Sequence, residues 1–174
     1  MQAAIGSLLV LPSTHQDASH DRVVGWILVL VQIALLAAVF LLPDGSDWTT
    51  PAWLSGASGA LSILGLVVVG IGLLNLGPSA TPLPTPVRDG ELRSNGLYRY
   101  VRHPIYSGVM ALAVGSAIPS GSAYVAAAAS ALVVWLGIKA RWEERRLHAR
   151  YPGYARYASC TPRFIPSWRR PRPR

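Results

Sequence analysis

Charge is scarce in this chain of 174 residues. Asp, Glu, Lys and Arg make up 14% of it, against the roughly 25% typical of soluble domains. Hydrophobic residues make up 51%, and the mean hydropathy is +0.34. Those values suit an integral membrane protein better than a soluble one. Cysteine is almost absent. The single Cys160 rules out an intramolecular disulfide framework and is expected to be structural or inert. The N-terminus lacks a basic n-region and its apolar piece "AAIGSLLVLP" is short, so no cleavable signal peptide is expected and the first membrane segment would target the chain. No internal repeat is visible. Acids are few: 8 against 16 basic residues, for a net charge of +8. A basic balance can indicate nucleic acid. Here the basic residues flank apolar segments, so anionic lipid or an anionic ligand is the reading, and no nucleic-acid partner is expected. No metal site is expected either.

What the chain does have is apolar runs. Val23 to Leu42, "VVGWILVLVQIALLAAVFLL", carries no charge and is long enough to span a bilayer, which takes about 20 residues. Pro43 and Asp44 end it. Ala52 to Leu76 is a second span, rich in small residues (Gly56, Gly59, Gly65, Gly70, Gly72) that let membrane helices approach closely. Ile105 to Ile118 is apolar but short. "PSG" at Pro119 to Gly121 breaks the chain, and Ser122 to Ile138 follows as its partner. The two arms read as a tight membrane hairpin. The second arm continues as the charged helix "KARWEERRLHAR" until Pro152 and Gly153. The remainder, basic, aromatic and proline-rich, is expected to hold no regular element. The fold class expected is therefore all-α: an integral membrane helical bundle of about four transmembrane helices, with a charged C-terminal helix and an irregular tail.

Orientation follows from Lys and Arg. Pro43 to Pro51 has none. Arg22 precedes the first span, and Arg88, Arg93, Arg99 and Arg102 lie in the central loop. The remaining basic residues begin at Lys139. With four spans, every basic residue falls on one face, which places both termini in the cytoplasm. The alanine- and arginine-rich composition points to a bacterial inner membrane.

One stretch gathers unusual chemistry: "SNGLYRYVRHPIYSG", Ser94 to Gly108. Pro104 disfavours helix at His103 and is itself favoured at a first helical position. A helix should therefore begin at Pro104 with His103 just outside. Its first turn offers free N–H groups and the positive end of the dipole. With Arg102 beside it, this is a seat for a carboxylate or phosphate. Tyr98 and Tyr106 flank it and suit a planar ring or a cation. The plain alternative is interfacial anchoring, since arginine and tyrosine commonly sit at membrane surfaces.

A second cluster falls on the same face. Glu143 and Glu144 are the only acids in an arginine-rich C-terminal region. Lys139 and Glu143 are spaced i,i+4, as are Arg141 and Arg145, so a solvated helix laced with ion pairs is the ordinary account. An acid close to the bilayer is also a functional candidate. A ligand with a cationic centre, hydroxyls, an aromatic base and a carboxylate would satisfy both clusters, and S-adenosylmethionine has all four.

The ordered set "GLYRYVRHPIYSG" and "EERRLHARYPGYARYASCTPRFIP" resembles the integral-membrane methyltransferases of the isoprenylcysteine carboxyl methyltransferase and phospholipid N-methyltransferase superfamily. The resemblance covers Thr85 to Pro166. It implies one membrane domain over residues 1–174, with two generic spans in 23–76 and a cofactor-binding half in 85–166. It implies S-adenosylmethionine as methyl donor, held by the backbone of Gly90, Glu91 and Leu92, then Tyr98, His103, Pro104, Ile105 and Tyr106, and by Glu143 with Glu144 beside it. Glu143 aligns with the family's binding acid, four residues before Leu147. Arg102, Lys139 and Arg141 are the implied catalytic set. Lys139 stands where the family tends to place an arginine near the acceptor, and offers a point charge in place of arginine's fork. Tyr151, Tyr154, Tyr157 and Arg163 fit the family's C-terminal segment, which folds back over the cofactor. Membrane lipids and a lipophilic or small methyl acceptor (carboxylate, thiol or amine) are the implied partners. Two other classes remain open: an NADPH-dependent membrane reductase of the sterol-reductase type, and a non-catalytic membrane scaffold.

Overall fold

The computed structural model describes residues 15–77, 92 and 94–166, and side chains from residue 20 onward. Gly90 and Glu91 lie outside the described residues; Leu92 is half-buried. Among the described residues five α-helices follow one another: α1 (His15–Leu41), α2 (Ala52–Leu76), α3 (Pro104–Ala117), α4 (Ala123–Arg150) and α5 (Tyr154–Cys160). A 3₁₀ turn, Gly96–Arg99, precedes α3. Among the described residues three helices are long and apolar enough to cross a membrane: His20–Leu41 within α1, then α2 and α4. α3 has 14 residues, about 21 Å at 1.5 Å per residue, short of a hydrocarbon core of about 30 Å. Leu41 and Leu74 are 80% and 81% exposed, and Ile27, Leu30, Ile63 and Leu66 also face outward. In water such a surface would aggregate; in lipid it is ordinary.

The helix limits follow the sequence chemistry. Pro51 lies just outside α2 and Pro104 occupies the first turn of α3, with His103 as the non-helical flanking residue. α4 continues without a break from its apolar arm into the charged segment. It ends at Arg150, where Pro152 forces Tyr151 out of helical geometry. The tail differs from expectation: Tyr154–Cys160 forms one further short helix, α5. The buried Tyr154 ring accounts for it, packing edge-on against His148 and Tyr157. Tertiary burial, not helix propensity, sets that element.

α2 and α3 form the most extensive helix pair. Their backbones nearly touch at Gly65 and Gly108. A Cβ on either would stand 2.5 Å from the other's carbonyl oxygen. Gly72 likewise gives way to Ile105. Gly56, Gly59 and Gly70 meet nothing within 4 Å, so the packing role expected of the glycines holds for Gly65 and Gly72 alone. The apolar core lies between α1, α3 and α4, around Val39, Val109, Ala113, Leu132 and Leu136.

Polar contacts define the two ends of the bundle. At one end the α1–α2 loop lies on the α3–α4 turn. Gly45 N–H donates to Ser120 O (2.8 Å), and Asp47 N–H to Gly121 O (2.8 Å). The Asp47 carboxylate accepts from Ala123 N–H at 2.7 Å, satisfying an orphan amide of α4's first turn. At the other end α1 meets α4 through an Asp21–Arg146 ion pair. Between the ends, Trp135 Nε1 donates to Leu28 O at 3.1 Å. Lys139 Nζ donates to Gln32 Oε1 at 2.7 Å.

Candidate functional site

The polar stretch and the paired glutamates meet at the end of the bundle where α3 begins. The 3₁₀ turn is fixed first. Asn75, near the end of α2, accepts from Leu97 N–H through Oδ1 at 2.8 Å. Gly96 has φ +59°, and a Cβ there would fall 1.8 Å from Asn75 Oδ1. Only glycine meets both conditions. The turn buries Tyr98 and Val101 and delivers Arg102 and His103 to the base of α3.

The two adjacent glutamates hold different partners. They lie about 100° apart around α4. Glu144 is a hub. Its Oε1 accepts from Arg102 Nε at 3.0 Å, from His103 Nε2 at 3.2 Å and from Arg163 Nε at 2.9 Å. Arg163 Nη2 closes a second arm on Oε2 at 2.5 Å, giving a bidentate fork. Arg102 Nη1 donates to Ala158 O (2.6 Å) and Thr161 O (2.8 Å). Glu144 therefore ties the base of α3 to the tail after α5. The carboxylate beside it raises the Arg163 guanidinium above its usual pKa.

Glu143 faces another way. Its Oε1 accepts from Tyr106 OH, and its Oε2 stands 3.6 Å from His103 Nδ1. His103 thus lies between the two acids. Its ring stacks on Tyr106, with centroids 5.3 Å apart and planes 7° from parallel. Lys139 Nζ lies 5.3 Å from the Tyr106 centroid, within cation–π range. Tyr98 feels the Glu143 charge, but burial is the larger cause of its pKa being pushed up to about 12.

The tail closes over one side. Arg102 N–H donates to Pro162 O (2.9 Å) and His103 N–H to Arg163 O (3.0 Å). Ser107 Oγ donates to Phe164 O at 2.7 Å, and Phe164 tilts against the His103 ring. Tyr157 OH donates to Tyr98 O at 2.6 Å. Burial pushes the Tyr154 and Tyr157 phenols upward.

Among the residues expected from sequence, the structure brings together Tyr98, Arg102, His103, Pro104, Tyr106, Lys139, Glu143 and Glu144. Ile105 is packed against Gly72. Arg141 does not join them. It lies roughly 200° around α4 from Lys139 and is exposed. Arg163, Tyr154 and Tyr157 do join the cluster. Asn75, Gln32 and Ser107 were not expected from the sequence. Gln32 carried a signal: it is the sole polar side chain besides Trp26 in the run Val23 to Leu42, and such residues inside a membrane are costly.

A membrane-embedded helical bundle with a carboxylate, histidine and tyrosine cluster at one end is the architecture so described. The sequence model of the phospholipid methyltransferase family matches residues 54–153, more than half of the chain. The chain belongs to that family. The match begins in α2 and ends just after α4, so it takes in Glu143 and Glu144 but neither Gln32 nor Arg163. No curated protein and no solved structure matches the chain.

Proposed function

We propose that the chain transfers a methyl group from S-adenosylmethionine to a lipophilic or small acceptor at the membrane face. The observation that carries this reading is the setting of Glu143. It is a carboxylate at the end of a membrane helix, held by Tyr106 OH and facing His103. No arginine or lysine ion-pairs with it among the described residues. Such a group suits a sulfonium or a ribose diol.

The other groups fit the same cofactor. Tyr98 and Tyr106 would wall in the adenine. The first intrahelical bond of α3 is Ser107 N–H to His103 O. The helix itself therefore leaves the amides of Ile105 and Tyr106 unused, at its positive end, for a carboxylate. Arg102 has its Nε and Nη1 engaged by Glu144, Ala158 and Thr161. Its part is to hold Glu144 and the tail. When bound, the cofactor supplies an electrophilic methyl group. The chain's own contribution is alignment and exclusion of water, which for an in-line displacement can provide most of the rate. Tyr98, protonated at neutral pH, acts as a hydrogen-bond donor and not as a base. Lys139 presents positive charge on the acceptor side.

The test is transfer of a labelled methyl group by the purified protein. Vesicles of phosphatidylethanolamine, a small amine and a small thiol are offered in turn, alongside NADPH binding as the reductase control. Label in one acceptor class and no NADPH binding are expected. A folded protein that labels none of them and binds NADPH overturns the proposal.

We place both termini on the cytoplasmic side, because the α1–α2 loop from Pro43 to Pro51 holds no Lys or Arg. A cysteine introduced at Ser46, in a Cys160→Ser background, should react with an impermeant maleimide from outside the cell. Reaction only from the cytoplasm reverses the orientation.

A further inference from the structure

The spacing of Lys139 and Glu143 invites an ion pair along one helix face. That pair is not made. Among the described residues no carboxylate ion-pairs with Lys139. The residue is 4% exposed. Its ammonium contacts Gln32 Oε1 of α1 at 2.7 Å and faces the Tyr106 ring at 5.3 Å, while the Glu143 carboxylate acts on it only through space. A buried ammonium with one neutral acceptor is costly. An ammonium at this position has an available carboxylate one turn away, and it is turned to another helix instead.

We propose that Gln32 is a positioning residue for the methyl-donor site, acting through Lys139. Its amide oxygen draws the ammonium toward α1 and away from Glu143, and fixes it without cancelling its charge. Glu143 then keeps Tyr106 OH as its partner and presents its second oxygen toward His103 and the ligand. Without Gln32, the nearest acceptor for Lys139 is the Glu143 carboxylate. The lysine would turn onto it, displace Tyr106 and occupy the oxygens that the ligand needs. α1 lies wholly outside the family match, yet in this reading it is a working part of the site. The two further links between α1 and α4, Trp135 to Leu28 and Arg146 to Asp21, set the register that brings Gln32 level with Lys139.

The inference rests on the proposed donor site, and S-adenosylhomocysteine is the probe for both. Calorimetric titration of the full chain in detergent is run on wild type, Gln32→Met, Gln32→Glu, Lys139→Met and the Gln32→Met/Lys139→Met double variant. Methionine keeps the length of glutamine and removes the acceptor. Gln32→Met should weaken binding about tenfold, the scale of one charge-assisted hydrogen bond. Gln32→Glu, which still holds the ammonium, should restore binding to within about threefold. In the Lys139→Met background the Gln32→Met step should have no effect, since there is no ammonium left to hold. An equal loss in both backgrounds makes Gln32 a packing residue of α1 and overturns the inference. So does wild-type affinity in folded Gln32→Met. If Gln32→Met does not fold, weak binding by folded Gln32→Glu overturns it as well. A wild-type protein that binds no S-adenosylhomocysteine overturns the donor site and this inference together.

Discussion

Glu144→Ala should unfold the site, and should do so before any ligand is considered. Glu144 is buried and receives Arg102, His103 and Arg163. Alanine leaves two guanidinium groups and an imidazole facing each other without their common anion. Removing one partner of a buried ion pair costs about 3–5 kcal/mol. Arg163 is the most exposed of the three partners, with its side chain 30% accessible, so its share is screened and the lower end of that range applies. In a chain of this size about 3 kcal/mol corresponds to a fall in melting temperature on the order of 10 °C. The loss should concentrate in the tail, because the Arg163 side chain reaches the bundle through this carboxylate. Limited proteolysis should cut after α5 in the variant and not in wild type. An unchanged melting temperature would show that the hub is not what holds the tail.

Glu143→Gln should do the reverse. Glu143 has one hydrogen-bond donor, Tyr106 OH, and glutamine can still accept from it. The fold should survive, with a melting temperature within about 2 °C of wild type. Binding should not. In the proposed site the substitution removes the negative charge that would face the donor's cationic centre, and charge-assisted bonds are about twice as strong as neutral ones. With the loss of the ion–ion attraction in a water-poor site, about 100-fold weaker binding of the methyl donor is expected, or roughly 2.7 kcal/mol. In the proposed function two adjacent acids divide the labour: Glu144 would hold the fold and Glu143 the ligand.

That division was not legible in the sequence, and the reason is geometric. Adjacent helix residues point about 100° apart, and which of two faces meets the tail depends on how the tail returns. The sequence does not encode that return locally. Arg102 illustrates the same limit. On spacing alone it reads as a ligand arginine beside a helix start, yet it turns inward to the carbonyls of Ala158 and Thr161, some sixty positions away in the chain. The Lys139–Glu143 spacing suggests an ion pair, but Lys139 bonds Gln32 on another helix instead. Arg141, two residues from Lys139, sits on the wrong face. What was legible rests on strong local rules. Continuous apolar runs gave α1, α2 and α4. Pro104 gave the start of α3, and the break at Pro119 to Gly121 gave the hairpin. His103 and Tyr106 stood out by their place at the helix start that Pro104 marks, and Glu143 as one of two acids close to the bilayer in an arginine-rich region. α5 escaped notice because seven residues of mixed character form a helix only when Tyr154 is buried.

The central claim is that Glu143 and the base of α3 form a methyl-donor site. Its most direct test is calorimetric titration of S-adenosylhomocysteine into the purified protein in detergent, with Glu143→Gln measured beside wild type and both melting temperatures recorded. Binding at micromolar concentration by wild type is the expected result, with about 100-fold weaker binding by a Glu143→Gln variant that is equally stable. Equal affinity in the two proteins, or no binding by a folded wild type, would contradict it.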